Sequence, residues 1–389
     1  MTNITLFGQI IAKLPRACFA KLVNSHNTDK HAKGCTSWTH LVAMLFCQFG
    51  GLQSVRDISH GLRSATGNLN HLGIKRAPSK STISYQNKGR DWTLFRAYYY
   101  KLLDHLGHQA RGKRIKFRIK SKIFLLDSTT ISLCLSLFDW AHYKTRKGAV
   151  KMHTLLEYDG HLPAYVYLSD GKTADNKGAA DIPLLKGSVI VADRFYNDFS
   201  LLNVWDSRGV WFVVRHKTNL AYRSLGEKEL PAGRHEHIII DEHIELSARQ
   251  SKKSYQGKLR RVAIWDELNQ QTIELITNHP NWAANTICEL YKSRWQVEIF
   301  FREIKQLLRI KSFVGTSENA VFIQIWTALI TILILKALKA MAQYRWYLSN
   351  LVGFIRLNLF VKIDLQQWLD NPFQPDRSPP GDPQQGVLF

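Results

Sequence analysis

Ser188-Val-Ile-Val-Ala-Asp193 places four apolar residues in a row between a serine and an aspartate, with no polar alternation. A strand of that kind is short and apolar enough to be buried, and it ends on an acid. The neighbouring segments fit around it. A strand signal runs over Ile123-Phe-Leu-Leu-Asp127-Ser-Thr129, a second over 149–158 and a third over 162–168, with a turn at Asp159-Gly160. A short helix is predicted over 176–185, another over 199–206, and a strand over 210–215. The middle of the chain thus reads β, β, β, α, β, α, β. Two carboxylates, Asp127 and Asp193, fall at strand C-termini.

The 389 residues, 45% of them hydrophobic, suffice for two or three domains with a buried core, which excludes a disordered or disulfide-stapled chain. The five cysteines are scattered and never form a CxxC pair, so a reducing cytosol is the expected setting. No secretory leader is legible at the N-terminus. The apolar run 321–335 is about fifteen residues long and ends on Lys336, short of the roughly 20 that a membrane span needs. It reads as a buried core helix.

Charge is distributed unevenly. Residues 1–120 hold 20 basic and 4 acidic residues, while the whole chain carries +22. Such a basic first third points to a polyanion, of which DNA and RNA are the common ones. Residues 1–70 read as helical. The hydroxyl-rich stretch Ser79-Lys-Ser-Thr-Ile-Ser84 can cap a further helix carrying Lys88, Arg90 and Arg96. The segment 78–96 is a candidate helix-turn-helix. Residues 216–282 show short β-like runs between polar turns and read as a β-rich insertion. Residues 285–311 and the segments to about 369 read as helical, and 371–385 as a polar, proline-rich tail.

The stretch from Tyr291 to Lys305 concentrates the chemistry. On one continuous helix, Tyr291, Arg294, Glu298 and Lys305 share a polar stripe about 60° wide. Val297, Phe301, Ile304 and Leu308 form the apolar stripe beside it. A surface helix with i,i+4 ion pairs has the same pattern. The two strand-end aspartates favour a different use. Three carboxylates from two strands and a helix offer hard oxygen ligands suited to Mg²⁺ or Mn²⁺. Two such ions about 3.5–4 Å apart would clamp the attacking and leaving oxygens of a phosphoryl transfer.

With Asp127-Ser-Thr129, Asp193-Arg-Phe-Tyr196 and the spacing Tyr291-x2-Arg294-x3-Glu298-x6-Lys305, the chain resembles the DDE transposases of bacterial insertion sequences. The likeness is to the fourth insertion-sequence family, which carries the YREK signature, and it covers about residues 120–370. Residues 1–90 also resemble the N-terminal domain of one branch. The resemblance implies an α/β ribonuclease-H-like catalytic core with a β-rich insertion and a helical N-terminal DNA-binding region. It divides the chain into residues 1–115 (DNA-binding region), 116–215 (first part of the core), 216–282 (insertion), 283–370 (second part) and 371–389 (disordered tail). It further implies a metal triad of Asp127, Asp193 and Glu298 holding Mg²⁺, or Mn²⁺ in its place. Tyr291, Arg294 and Lys305 would hold terminal phosphates and end nucleotides.

The implied activity is cut-and-paste transposition, with a hairpin intermediate in several relatives. The implied partners are terminal inverted repeats and target DNA. The enzyme would work as a homodimer in a synaptic complex, in the bacterial cytoplasm with the nucleoid and without a membrane. Trp265 and Trp211 are the candidates for stacking on a flipped base, although core packing explains either. The alternatives are a transposase that now only binds DNA and a nuclease without strand transfer.

Other clusters carry less. Lys144, Arg146, Lys147 and Lys151 could touch DNA or form a solvated loop. His235-Glu-His237 lacks zinc-protease spacing. Cys35, His40 and Cys47 have no obvious fourth ligand. Asp139, Asp170 and Asp175 read as turn residues. Phe195, where a smaller residue is expected, should tighten the loop beside Asp193.

Overall fold

The computed structural model describes residues 2–373 except 66, 111–116, 118, 134–137, 139, 145–146, 173–177, 217–219, 231–236 and 308–312. The tail beyond 373 and most of His235-Glu-His237 therefore lie outside the described residues, as do Asp139, Asp175, Arg146 and the side chains of Lys144 and Lys147.

Six helices open the chain: α1 (Leu6–Ala12), α2 (Arg16–Ser25), α3 (Ser37–Gly50), α4 (Val55–Ser64), α5 (Lys80–Gly89) and α6 (Thr93–Ala110). Their starts follow from side-chain caps. Thr5, Thr36, Ser54 and Ser79 each accept a hydrogen bond from the backbone N–H three residues on, satisfying a donor that the first turn leaves open. The α5 start at Ser79 is the one read from the sequence. The expected helix carrying Lys88, Arg90 and Arg96 is split: Arg96 lies on α6, and α5 ends in its cap, Arg90. Its guanidinium is buried, donates to Asp29 Oδ1 at 2.8 Å and to the Cys35 carbonyl at 2.9 Å, and also contacts Ser37. The half-buried Asp29 and the Cys35 carbonyl hold it inward.

The strands follow: β1 (Ile123–Leu133), β2 (His142–Lys144), β3 (Lys147–Glu157), β4 (Leu162–Asp170), β5 (Val189–Ala192), then α7 (Phe199–Ser207) and β6 (Trp211–Arg215). No helix forms over the described part of 176–185, which runs as turns. Gly178 sits at φ +82° and Pro183 interrupts the helical hydrogen bonding, so propensity there does not outweigh the breakers. The segment 216–282, expected as a β-rich insertion, contains β7 (Tyr222–Glu227), β8 (Ile238–Leu246), α8 (Arg249–Ser254), β9 (Leu259–Asp266) and β10 (Gln271–Thr277). It prolongs the central sheet, because β10 pairs antiparallel with β6. The ten strands run β2-β3-β1-β5-β6-β10-β9-β8-β7, with β4 paired to β3.

Within that sheet β1, β5 and β6 are parallel, with Leu126 opposite Ala192 and Ala192 opposite Val214. Successive side chains alternate between faces. Leu126, Ile190, Ala192, Phe212 and Val214 join Leu202 and Trp205 of α7 in one apolar cluster. Leu125, Val189, Val191 and Val213 face the other way, toward Ile287, Leu290 and Val297. Those three come from α9 (Ala284–Ser293) and α10 (Trp295–Leu307).

The chain closes with α11 (Glu318–Met341), α12 (Leu348–Asn358) and α13 (Leu365–Asp370). Helix α11 is long and apolar enough to cross a membrane, yet 94% of its most apolar window is buried inside the fold. It packs against α3, α5, α6, α12 and α13, so the N-terminal helices share its core. Three of its buried polar side chains are satisfied internally. The Thr327 hydroxyl donates to the Ile323 carbonyl at 2.9 Å, that of Thr331 to the Thr327 carbonyl at 2.8 Å, and Gln324 Oε1 accepts from Val314 N–H at 2.9 Å.

Candidate active site

The parallel register sets the site. Asp127, Asp193 and Arg215 stand at one level, one residue beyond the last parallel pairs, Leu126–Ala192 and Ala192–Val214. Asp193 follows the end of β5 as expected, whereas Asp127 lies inside β1 and not at its C-terminus, because β1 runs on to Leu133 in antiparallel pairing with β3. By alternation all three belong to the face that α9 and α10 cover. Glu298 reaches that level from α10, which packs on β1. The two aspartates and the glutamate named from the sequence are thus brought to one edge of the sheet.

Asp127 Oδ1 accepts the Ser128 N–H at 2.7 Å. Asp193 caps a single 3-10 turn, Arg194–Tyr196, and its Oδ1 accepts the Phe195 N–H at 2.8 Å. Phe195 does not tighten that loop. Its ring points outward, 59% exposed, beneath the Arg194 guanidinium at 5.6 Å. The turn is closed by the Asp193 carboxylate and the backbone, which leaves the phenyl free of it.

The continuous helix expected from Tyr291 to Lys305 is interrupted. Helix α9 ends at Ser293 and α10 begins at Trp295, with Arg294 between them. Arg294 keeps helical angles (φ −53°, ψ −31°). The local hydrogen bonds, however, are i to i+3: Arg294 N–H to the Tyr291 carbonyl and Val297 N–H to the Arg294 carbonyl, each at 3.0 Å. That tightened turn is a feature of helix junctions. The four polar residues are thus divided among α9 (Tyr291), the junction (Arg294) and α10 (Glu298 and Lys305). Val297, Phe301 and Ile304 are buried as the apolar stripe predicted, with Phe300 added. Leu308 lies outside the described residues.

Arg294 sits in the middle. One guanidinium nitrogen, Nη2, lies 2.6 Å from Glu298 Oε1, and the other, Nη1, 3.4 Å from Asp127 Oδ2. Nε is buried without a hydrogen-bond partner among the described residues. The guanidinium also lies 5.8 Å from the centre of the Tyr291 ring. Lys305 is exposed one turn beyond Phe301, and it lines with Asp127, Thr129, Glu298 and Arg302 a surface groove of about 400 Å³.

Electrostatics separates the carboxylates. Burial pushes the Asp127 carboxyl up to about 7. Asp193 and Glu298 add to the rise, while the Ser128 N–H and Arg294 oppose it. Burial likewise raises the Tyr291 phenol, against the pull of Arg294 and Arg215. The rise at Asp127 is therefore chiefly the cost of burying its charge, with the two neighbouring carboxylates adding to it. An all-oxygen donor set with surplus negative charge suits a hard divalent cation. Among the described residues, though, no three His, Cys, Asp or Glu side chains are gathered tightly enough to share an ion. The guanidinium stands between two of the three.

Two residues at this edge were not singled out from the sequence. Arg215 was read only as the end of a strand, and its signal was a position level with Asp193. Trp295, inside the Tyr291–Lys305 stretch, is 56% exposed at the first residue of α10. The tryptophans that were singled out lie elsewhere. Trp211 pairs with Val189, at the opposite end of β5 from Asp193, and packs edge-on to His279 at 4.6 Å. Trp265 is 39% exposed on β9.

Residues 118–334, more than half of the chain, match the family described as Transposase DDE domain. Residues 2–75 match one described as a domain of unknown function. Among similar proteins, one of Geobacillus stearothermophilus is named as a probable transposase for an insertion sequence element. It is 26% identical over 277 residues, 71% of this chain and 72% of that protein. A protein of Sinorhizobium fredii with a transposase name is 26% identical over 290 residues, 74% of this chain and 80% of its own length. One of Synechocystis, also named for an insertion sequence element, is 25% identical over 299 residues, again 74% and 80%.

Proposed function

The chain belongs to the Transposase DDE domain family, and from that premise we propose that it cuts the ends of an insertion sequence and joins them to target DNA. The observation that carries the reading is the meeting of Asp127, inside β1, and Asp193, just past the end of the adjacent parallel β5, with Glu298 on the helix that covers them. The family implies a ribonuclease-H-like core, and the order β4-β3-β1-β5-β6 with its parallel β1, β5 and β6 supports it. DDE transposases in general use divalent metals. The donor chemistry here fits Mg²⁺, with Mn²⁺ as a substitute.

Asp127, Asp193 and Glu298 would hold the metal, which would activate water or a 3′-hydroxyl and neutralise charge on the scissile phosphate. In the cut, the water oxygen bonds to phosphorus and the 3′ oxygen leaves. In the joining, that 3′-hydroxyl is the nucleophile and a target-strand oxygen leaves. The protein's own contribution is position and charge. Arg294 suits a bidentate phosphate contact and Lys305, exposed along the groove, a point-charge contact. Tyr291, held between Arg294 and Arg215, would brace the end nucleotides.

The helical, basic N-terminal region would bind the inverted repeats. The outward face of α5, with Lys80, Ser81, Ser84, Tyr85 and Lys88 exposed, supports this reading in place of Arg90. We further propose a homodimer in the synaptic complex, acting at the bacterial nucleoid, with Asp127–Lys305 as the cleavage face whether or not a hairpin intermediate forms.

Excision from a plasmid tests the reading. The gene's own flanking DNA brackets a marker, and wild type is compared with Asp127→Ala in the same cells. Excision by wild type alone is the expected result. Excision at equal frequency by Asp127→Ala would overturn the assignment.

A further inference from the structure

We infer that Arg294 is a built-in counter-ion that occupies the cation's place between Asp127 and Glu298 until DNA draws it away, so that metal and DNA bind cooperatively. The inference rests on the carboxylate assignment made above and adds a regulation to that site.

Geometry makes the two cations exclusive. Arg294 spans the carboxylates with Nη2 at 2.6 Å from Glu298 and Nη1 at 3.4 Å from Asp127. A small divalent ion held by both would need each oxygen at about 2.1 Å, inside the space the guanidinium fills. The arginine is also well placed to hold that position. It stands at the tightened junction of α9 and α10, with only 18% of its side chain exposed. Glu298, four residues on, is its natural partner along the helix. That ion pair places the guanidinium between two of the three carboxylates.

The bridge is also weak enough to exchange. Its Asp127 arm is long at 3.4 Å. Nε is buried without a hydrogen-bond partner among the described residues. A phosphate oxygen pair offers this guanidinium a planar, bidentate acceptor that a split contact to two carboxylates does not. Once Arg294 turns to a phosphate, Asp127 and Glu298 are left with uncompensated charge beside Asp193, and a divalent ion is the remaining way to neutralise them. Linkage then requires the reverse as well, so that metal promotes the arginine's release to DNA. A nuclease built this way is poorly metallated away from its substrate.

The test is Mn²⁺ binding to the full chain without DNA, measured by electron paramagnetic resonance and calorimetry at pH 8. Arg294→Gln removes the charge and keeps a polar side chain. At an effective permittivity of about 20, a unit charge about 4 Å from the ion outweighs a tenfold change in affinity. Mn²⁺ should therefore bind Arg294→Gln at least about tenfold tighter than wild type. Arg294→Lys, which keeps the charge but cannot span both carboxylates, should fall between them. It carries the test if Arg294→Gln fails to fold. Adding Glu298→Gln to either variant should erase the gain.

Equal or weaker Mn²⁺ binding in folded Arg294→Gln and Arg294→Lys overturns the counter-ion role while leaving the carboxylate assignment standing. A gain that survives Glu298→Gln overturns it too. Absence of Mn²⁺ binding at millimolar concentration in wild type and both variants overturns the metal assignment, and the inference falls with it.

Discussion

Asp127 makes the energetics of the site measurable. Its carboxyl is pushed up to about 7 from the 3.8 of an unperturbed side chain, chiefly by burial. The folded protein therefore binds a proton there more tightly than the unfolded chain does. For a group raised in this way, the stabilising contribution is complete below about pH 3.8 and is lost as pH rises through about 7. One tenfold step in proton affinity is about 1.4 kcal/mol, so the full difference has an upper limit of about 4 kcal/mol. The side chain is 17% exposed and lies at the rim of a groove. Water and side-chain relaxation there reduce the measurable effect to about 1–2 kcal/mol.

Asp127→Asn removes the ionisation and keeps an oxygen to accept the Ser128 N–H. In the presence of EDTA, the variant should be more stable than wild type at pH 8 by that amount, a rise in Tm of about 1–2.5 °C for a chain of this length. The advantage should shrink steadily as pH falls toward 4. Calorimetric melting of both proteins at half-unit intervals from pH 4.5 to 8 reads it directly. An advantage that does not vary with pH, or a variant less stable than wild type at pH 8, would refute the claim that burial of this carboxylate opposes folding.

The same variant, and Glu298→Gln, should abolish nicking of an oligonucleotide carrying the element's end while leaving its gel shift intact; full activity in either would remove that residue from the catalytic set. Arg294→Ala should reduce end processing more than general DNA affinity, and equal losses in cleavage and gel-shift assays would argue against a positioned role. Nicking at subsaturating Mg²⁺ should rise with pH through about 7, as Asp127 gives up the proton that competes with the metal, whereas a flat profile from pH 6 to 8 would contradict the raised carboxyl. In the insertion, Arg260 is buried against Asp241, with contacts of 2.6 and 2.5 Å, and also donates to the Trp282 carbonyl. Arg260→Ala strands that aspartate and should cost about 3–5 kcal/mol in urea unfolding; a loss below about 1 kcal/mol would show that water reaches Asp241.

What could be read in advance divides along physical lines. Strands β1, β3, β4, β5 and β6 were legible because burial of a sheet imposes apolar runs; the polar stop at Asp193 does end β5, whereas β1 passes through Asp127 and runs on to Leu133 because β3 pairs with it beyond the parallel ladder. The β-rich character of 216–282 was legible for the same reason, but its attachment was not. Nothing local in Gln271–Thr277 distinguishes pairing with β6 from closing a sheet of its own, because a backbone edge accepts any strand. Local propensity failed where a breaker acted, at Gly178 and Pro183, and where an ion pair decided burial, at Arg90. At Arg294 both effects combine. The apolar stripe of Val297, Phe301 and Ile304 fixed which face of the helix is buried, and so which face carries Glu298. It could not show that the arginine four residues before Glu298 also reaches a strand 167 positions away. That contact depends on sheet register, and register also places Arg215 beside Asp193. The sequence thus holds the identities of the charged groups, whereas the balance among them, with a carboxylate left near neutrality and a guanidinium bridging two acids, arises only once the strands are aligned.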